Sequence, residues 1–505
     1  MKFIFYLFLL SIFWGSSIPD SLTHDNKNSE DAILIPKYDQ ESSLFKFEYL
    51  GKKRKIFLST SIGYLNYNEK INFKFSPLLR FKNFNFKIDL EYFFGNSENK
   101  NIDNNFTPIG FLEKIDYFNF KTQNENFKIH IGTIENLNFG HGYLLNRYSN
   151  NLNYPFNKNI GLESSISNSN KTLIFKSFIS NIENLIDNGG MIGNHLSMII
   201  SDKIPLKIGF GQILDLDQFV DFHDRVEFKR KIQAYQFDFD FPLFNILNRN
   251  VLLYGELSAI KFPETRYYKR IDDSEFTNDK KSRNGVWGIL FPGFSYSNNN
   301  HKLSIAFNYN SSIFSPKYFN TTYDFERVRY RKYDILNKEQ NFSDEADLLM
   351  QFADDTLNQN GVYLPKDLIG MINLQENTYP TYGFSFTYER KVNQENLLII
   401  EYSFYKEVEN IYSNLKFNDL YLKWDFNKKI FSKQTRINFI VSKTFFIEKD
   451  ILKIDENLIY GLNFDFNIYK GLHFVLEYKN TFYDNNYDGN IDKNPYLNSL
   501  IKINL

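Results

Sequence analysis

The sequence predicts an all-β fold, a transmembrane antiparallel up-and-down β-barrel of about 20 strands, within a range of about 18–22. Three observations lead there. The first is a C-terminal hairpin with one apolar face and one polar face. Leu462, Phe464, Phe466 and Ile468 alternate with Gly461, Asn463, Asp465 and Asn467. After Lys470-Gly471, Leu472, Phe474, Leu476 and Tyr478 alternate with His473, Val475, Glu477 and Lys479. Folding at Lys470 sets Phe466 across from Phe474, Phe464 from Leu476 and Leu462 from Tyr478, so one register keeps the large apolar residues on one side. The second observation is that this period-two pattern recurs along most of the chain. The third is that short and long connections interleave, as they do when short turns lie at one end of a barrel and long loops at the other.

Taken in order, alternating segments fall at Lys55–Tyr67, Asn72–Phe81, Asn85–Phe94, Ile115–Lys121, Asn126–Ile134, Gly161–Ser167 and Thr172–Ser180. They continue at Gly193–Ser201, Leu206–Leu214, Ile232–Phe241, Val251–Phe262, Val286–Ser297 and Lys302–Ser312. The series resumes at Tyr382–Lys391, Leu397–Glu407, Leu415–Phe426 and Thr435–Phe446, and ends with the hairpin and Tyr496–Leu505. In Asn85–Phe94, Phe86, Ile88, Leu90, Tyr92 and Phe94 oppose Lys87, Asp89 and Glu91. In Ile232–Phe241, Tyr235, Phe237, Phe239 and Phe241 oppose Gln236, Asp238 and Asp240. Several segments match the roughly 9–11 residues that cross a bilayer as a tilted strand. Short connections such as Lys82-Asn83 and Asn298–Asn300 interleave with long ones at 95–114, 135–160, 215–231, 263–285 and 314–380. Within the last, Ser343–Leu357 is acidic and helix-compatible.

Composition agrees. The 54 Phe and 34 Tyr exceed what an ordinary core needs, while mean hydropathy is −0.42. Both follow when half of every strand faces lipid and half faces water. A formal charge of −1 gives no basic patch and no reason to expect nucleic acid. The absence of Cys excludes disulfides, thiolate metal sites and Cys nucleophiles. Residues 1–17 have the form of a signal peptide: Lys2, the apolar run Phe3–Trp14, then Gly15-Ser16-Ser17. That run is too short to span a bilayer as a helix. Residues 18–43 form a polar, flexible lead-in on the periplasmic side, and 44–505 the barrel.

With the export signal, the dyad repeat, the loop rhythm and an amphipathic last strand (Leu497, Ile501, Ile503 and Leu505 against Lys502 and Asn504), the chain resembles bacterial outer-membrane β-barrels of the porin type. The resemblance covers nearly the whole mature chain and specifies an architecture, not a subfamily. It departs in ending on Leu505 where an aromatic is usual. It implies a place in the outer membrane of a Gram-negative cell, with lipid and the barrel-assembly machinery as partners. Energised receptor barrels carry a large N-terminal plug, whereas strands here begin near Lys55, which argues against that class. The implied function is a channel for passive diffusion of small hydrophilic solutes. A barrel that merely anchors a surface or polysaccharide-binding protein is the alternative, motivated by 314–380. An outer-membrane hydrolase ranks last. His141 near Ser149 has no third partner, and no catalytic set emerges.

If the apolar set meets lipid, Lys87, Asp89, Glu91, Lys128, His130, Asp238, Asp240, Lys423, Asp425, Arg436, Asp465, Glu477 and Lys479 face the lumen. A Lys or Arg turned to lipid at the midplane would cost roughly 2–4 kcal/mol. Charges of both signs suit either a water-filled pore or an interior zipped by ion pairs. The loop Asn136–Pro155 is the candidate constriction, with His141, Tyr143, Asn146, Arg147 and Tyr148 as its pore-facing residues. An outer loop packed over the mouth is the other reading. Finally, Asp484, Asn486, Asp488, Asn490 and Asp492 follow calcium-loop spacing around Gly489, with Pro495 where the bidentate Glu belongs. They are read as a weak Ca²⁺ site or, failing that, an Asx-rich turn. No other cofactor is indicated, and the oligomeric state stays open.

Overall fold

A computed structural model describes residues 55–65, 70–94, 114–152, 158–201, 205–222, 229–246, 249–263, 265–272, 275–281 and 286–332, then 349–350, 361–366, 380–393, 396–408, 416–430, 433–447, 454, 457–469, 472–483 and 491–504. The chain closes into one antiparallel barrel of 20 strands. The first quarter comprises β1 (Lys55–Leu65), β2 (Lys70–Arg80), β3 (Phe84–Ile88, continuing as Leu90–Phe94), β4 (Ile115–Lys121) and β5 (Phe127–Gly132). Next come β6 (Gly161–Ser167), β7 (Leu173–Ile179), β8 (Met191–Ile199), β9 (Lys207–Asp215) and β10 (Ile232–Ile246). The wall continues with β11 (Arg249–Lys261), β12 (Trp287–Ser297), β13 (His301–Asn310), β14 (Thr381–Asn393) and β15 (Asn396–Glu407). It ends with β16 (Lys416–Ile430), β17 (Lys433–Ile447), β18 (Leu458–Tyr469), β19 (Leu472–Tyr483) and β20 (Asp492–Asn504).

Each strand pairs with its sequence neighbour, and β20 returns to β1 with Ile501 opposite Ile62, so the wall has no open edge. The terminal hairpin has the register expected from its alternation: Phe466 faces Phe474, Phe464 faces Leu476 and Leu462 faces Tyr478. In β3 the ladder breaks at Asp89, whose backbone N–H instead donates to Lys114 O at 2.8 Å. A bulge opposite lets Asp116 turn toward Lys87 at 2.5 Å.

Burial along the wall is inverted relative to a soluble protein. Ile62, Phe73, Phe175, Phe210, Phe237, Phe294, Phe307, Trp424 and Ile501 are exposed, while Asp89, His130, His195, Asp238, Glu256, Asn310 and Asp419 are buried. A barrel in water would hide the first set and expose the second. Period-two alternation makes the inversion possible, since one register turns every polar side chain inward together.

Outside the wall, Thr265–Asp272 pairs with Glu275–Lys281 and with Leu349–Met350, and Val328–Lys332 pairs with Gly361–Pro365. These correct the picture of 314–380 as lacking strands. Within the helix-compatible stretch, Leu349–Met350 is extended because Tyr267 and Tyr268 offer it a strand edge. Among the described residues two short α-helices also occur, α1 (Ile182–Ile186) and α2 (Tyr323–Glu326). The expected signal peptide, the lead-in and residues 484–490 of the calcium motif lie outside the described residues.

Candidate functional site

The connection after β5 folds into the barrel. Ile134, Leu137, Phe139, Leu144, Leu145 and Tyr148 are almost wholly buried, which an apolar-rich loop achieves only by leaving the surface. Its ends are tied together. Ile134 N donates to Asn150 Oδ1 at 2.7 Å, and Leu137 and Tyr148 exchange backbone hydrogen bonds of 3.1 and 3.0 Å. The tip is Gly140-His141-Gly142, with both glycines at positive φ, +52° and +77°. A Cβ on Gly140 would meet Gln236 Nε2 at 2.6 Å and Glu256 Oε2 at 2.9 Å, so the tip is wedged against β10 and β11. There Glu256 accepts from His141 N (2.8 Å) and Tyr143 N (3.4 Å), and His141 Nε2 lies 3.0 Å from Asp240 Oδ1. Burial lowers the His141 pKa, but Asp240 and the carboxylates of Asp238 and Glu256 outweigh it and raise the pKa overall.

Farther along, Tyr143 OH bonds Asn310 on β13, and the Arg147 guanidinium grips Glu401 on β15 with bonds of 2.6 and 3.2 Å. Its plane also sits 4.2 Å from the Tyr421 ring centroid on β16. Tyr421 OH reaches Asn136 at 3.4 Å, and Lys479 Nζ on β19 reaches Leu152 O at 2.5 Å. One loop therefore contacts β10, β11, β13, β15, β16 and β19, which only a segment crossing the lumen can do.

Residues 311–328 fasten this inner segment. Asn146 N donates to Phe319 O at 3.0 Å, Phe319 N to Leu144 O at 3.1 Å and Lys317 N to Tyr143 O at 2.6 Å. Tyr148 OH donates to the Asp324 carboxylate at 3.1 Å. On the far side, Asp215 accepts from Tyr323 OH at 2.6 Å and from Arg327 at 2.9 and 3.1 Å. From sequence, the acidic loop of Asp215, Asp217, Asp221 and Asp224 lacks calcium-loop spacing and reads as solvated; the structure corrects this for its first two members. Asp215 and Asp217 are fully buried, because Arg327 and Tyr323 donate to the Asp215 carboxylate while Phe219 N and Arg230 N donate to that of Asp217, which makes burial tolerable.

The remaining predicted pore residues sit on the inward face. Lys87 and Asp89 join Lys74, Glu91 and Asp116 in an ion-pair network across β2, β3 and β4, with contacts of 2.5–3.3 Å. His195 bonds Asp238 at 2.7 Å. Asp465 takes His473 at 2.7 Å, and Tyr496 OH lies 3.4 Å from Glu477. Arg436 is exposed and stands across from Asp465. The two sides of the lumen differ. Inward residues of β8–β13 are buried beneath the inner segments, His195, Gln236, Asp238, Glu256, Ser295, Ser304 and Asn310 among them. On β17 and β18, Arg436, Asn438 and Asn463 face inward and stay exposed. Sequence reasoning missed Glu135, Glu256, Glu401 and Arg327 as site residues. The one available signal was the run of large apolar residues inside the candidate constriction loop Asn136–Pro155.

This arrangement defines a class by architecture alone, a closed antiparallel β-barrel with an inside-out pattern of burial and loop segments folded into its lumen. No family model matches the chain, and no curated protein does. Among solved structures it is similar to OccK3 (OpdO) of Pseudomonas aeruginosa, at 9% identity and a TM-score of 0.32, covering 90% of this chain and 96% of that one. It is also similar to the copper transporter OprC, at 8% identity and a TM-score of 0.39, with 90% and 82% covered. A BenF-like porin from Pseudomonas fluorescens Pf-5 matches at 7% identity and a TM-score of 0.30, with 89% and 97% covered. Likenesses this slight transfer no substrate.

Proposed function

We propose that the protein is an outer-membrane channel for small hydrophilic solutes. The observation that carries this reading is the inverted wall. An apolar, aromatic-rich outer face that is exposed around a closed barrel needs lipid against it, and a charged inner face needs water. Arg436, Asn438 and Asn463 are inward yet exposed, which supports an aqueous space beside the inner segments. Those segments narrow the lumen, so the channel is a restricted one and not a wide sieve. Purified, folded protein in a planar bilayer gives stepwise conductance on this reading. Folded protein that inserts and passes no current refutes it.

The two small sheets outside the wall favour one secondary reading, a surface-binding role superposed on the barrel. Shortening 333–360 tests it: a binding role predicts loss of ligand retention on whole cells with barrel assembly intact, and unchanged retention refutes it.

A further inference from the structure

Arg147 is the obvious charge on the inner segment, but Glu401 neutralises it and Tyr421 covers it. Another residue on the same segment is placed differently. Glu135 follows the fully buried Ile134, which Asn150 pins, and precedes Asn136, which Tyr421 OH holds. Its side chain is nevertheless exposed. Protein encloses it on most sides. Enclosure raises its pKa, Lys423 and Lys479 pull it down, and Asp116 pushes it up. A group both enclosed and solvent-accessible lines an internal aqueous space.

The two lysines share one level of the wall. Lys423 on β16 pairs with Ile440, Ile440 with Gly461, Gly461 with Lys479 and Lys479 with Tyr496, a single row of cross-strand partners. The row spans β16 to β20, about 19 Å at the usual strand spacing. Just below it the inward Asn438, Asn463 and Arg436 are exposed. The opposite inward face, on β8–β13, is buried under the inner segments. The open space therefore lies off-centre, against β17 and β18, with Lys423 and Lys479 on the strands that flank them.

Resting on the channel reading, we infer that solutes pass off-centre between Glu135 and the Lys423–Lys479 row, and that these three charges, not Arg147, form the ion filter of the pore. Among the described residues of the inner segment, Glu135 supplies the carboxylate on this side, whereas Lys423 also meets Asp425 at 3.4 Å and Lys479 donates to Leu152 O. Removing the carboxylate lessens the negative charge that faces these lysines and turns the filter toward anions. Removing the lysines turns it toward cations.

The test compares reversal potentials in a salt gradient for the parent, Glu135→Gln, the paired Lys423→Gln and Lys479→Gln variant, and Arg147→Gln. At low ionic strength, one unscreened charge about 5 Å from the ion path changes the cation-to-anion permeability ratio on the order of threefold. Glu135→Gln is expected to shift it by that much toward anions, and the lysine pair in the opposite direction. Because the chain holds no Cys, Glu135→Cys offers a second readout against a silent background. A cationic methanethiosulfonate is expected to react there and lower the current, and to leave a Leu144→Cys protein untouched. Equal reversal potentials in parent and Glu135→Gln, or an unreactive Cys at 135 in a conducting protein, overturn the filter. Folded parent protein that carries no current overturns the channel reading beneath it.

Discussion

The Arg147–Glu401 pair is a doubly bonded ionic fastening of the inner segment, and its loss has a calculable effect. Both side chains are buried, with relative exposures of 8% and 13%. Two charge-assisted bonds join them, and Tyr421 lies across the guanidinium. Burial favours proton loss from Arg147, but Glu401 outweighs it and raises the pKa, so the residue stays charged at any working pH. Glu401→Gln therefore leaves a buried cation without its counter-ion. Breaking one side of such a pair costs about 3–5 kcal/mol. The wall strands are held by their own ladders, so the penalty falls on docking of residues 136–150. Taking the lower figure, the undocked fraction rises on the order of a hundredfold. Amide hydrogen exchange of the folded protein reads this directly: exchange at Asn146 and Tyr148, whose amides bond Phe319 O and Leu137 O, accelerates by that factor while β15 and β16 stay protected. The double variant Arg147→Met with Glu401→Leu replaces the pair by apolar groups of similar size and recovers most of the loss. Exchange at Asn146 and Tyr148 that is equally slow in Glu401→Gln and parent would refute the claim that this pair holds the segment in place.

Three further expectations follow from named contacts. Tyr323→Phe removes a donor from fully buried Asp215 and should lower stability by about 1–3 kcal/mol, read by thermal unfolding; an unchanged midpoint would show the bond to be dispensable. Burial, against the pull of Arg327, raises the Asp324 pKa to about 7. A carboxyl raised above its ordinary value contributes docking energy that is complete in acid and lost as pH rises through about 7. Protease resistance of 311–328 should fall across that window in the parent and stay level in Asp324→Asn. Calcium at millimolar concentration should protect the 484–492 loop from cleavage through Asp484, Asn486, Asp488, Asn490 and Asp492, and equal cleavage rates with calcium and chelator would reduce the motif to a turn.

The wall was legible because its information is local. Alternation at Leu462–Ile468 and Leu472–Tyr478 sets both the faces and the register, and the two strands pair from Tyr469 and Leu472 onward. The interior was not, because its partners are far apart along the chain. Arg147 meets Glu401 254 residues later, and Asp215 meets Arg327 112 residues later. Neither pairing leaves a periodic trace, so an acidic loop passes for a solvated one. Glu135 shows the same limit in reverse. Its role depends on which wall the inner segment leans against, and that is settled by Glu256, Asn310 and Glu401 together.

The pairing of β1 with β20 bears on the order of assembly. Every other wall contact joins sequence neighbours and can form as soon as both strands exist. The seam of Thr60 with Ile503 and Ile62 with Ile501 cannot, since it waits for the end of the chain. The inner segment waits as well, because its anchors on β11, β13, β15 and β19 lie C-terminal to it. Once the seam is sealed, a bulky segment bearing Phe139, Tyr143 and Tyr148 has no side entrance. Filling the lumen and closing the wall are thus one event, and a lesion at the seam should leave the interior unpacked as surely as a lesion within it.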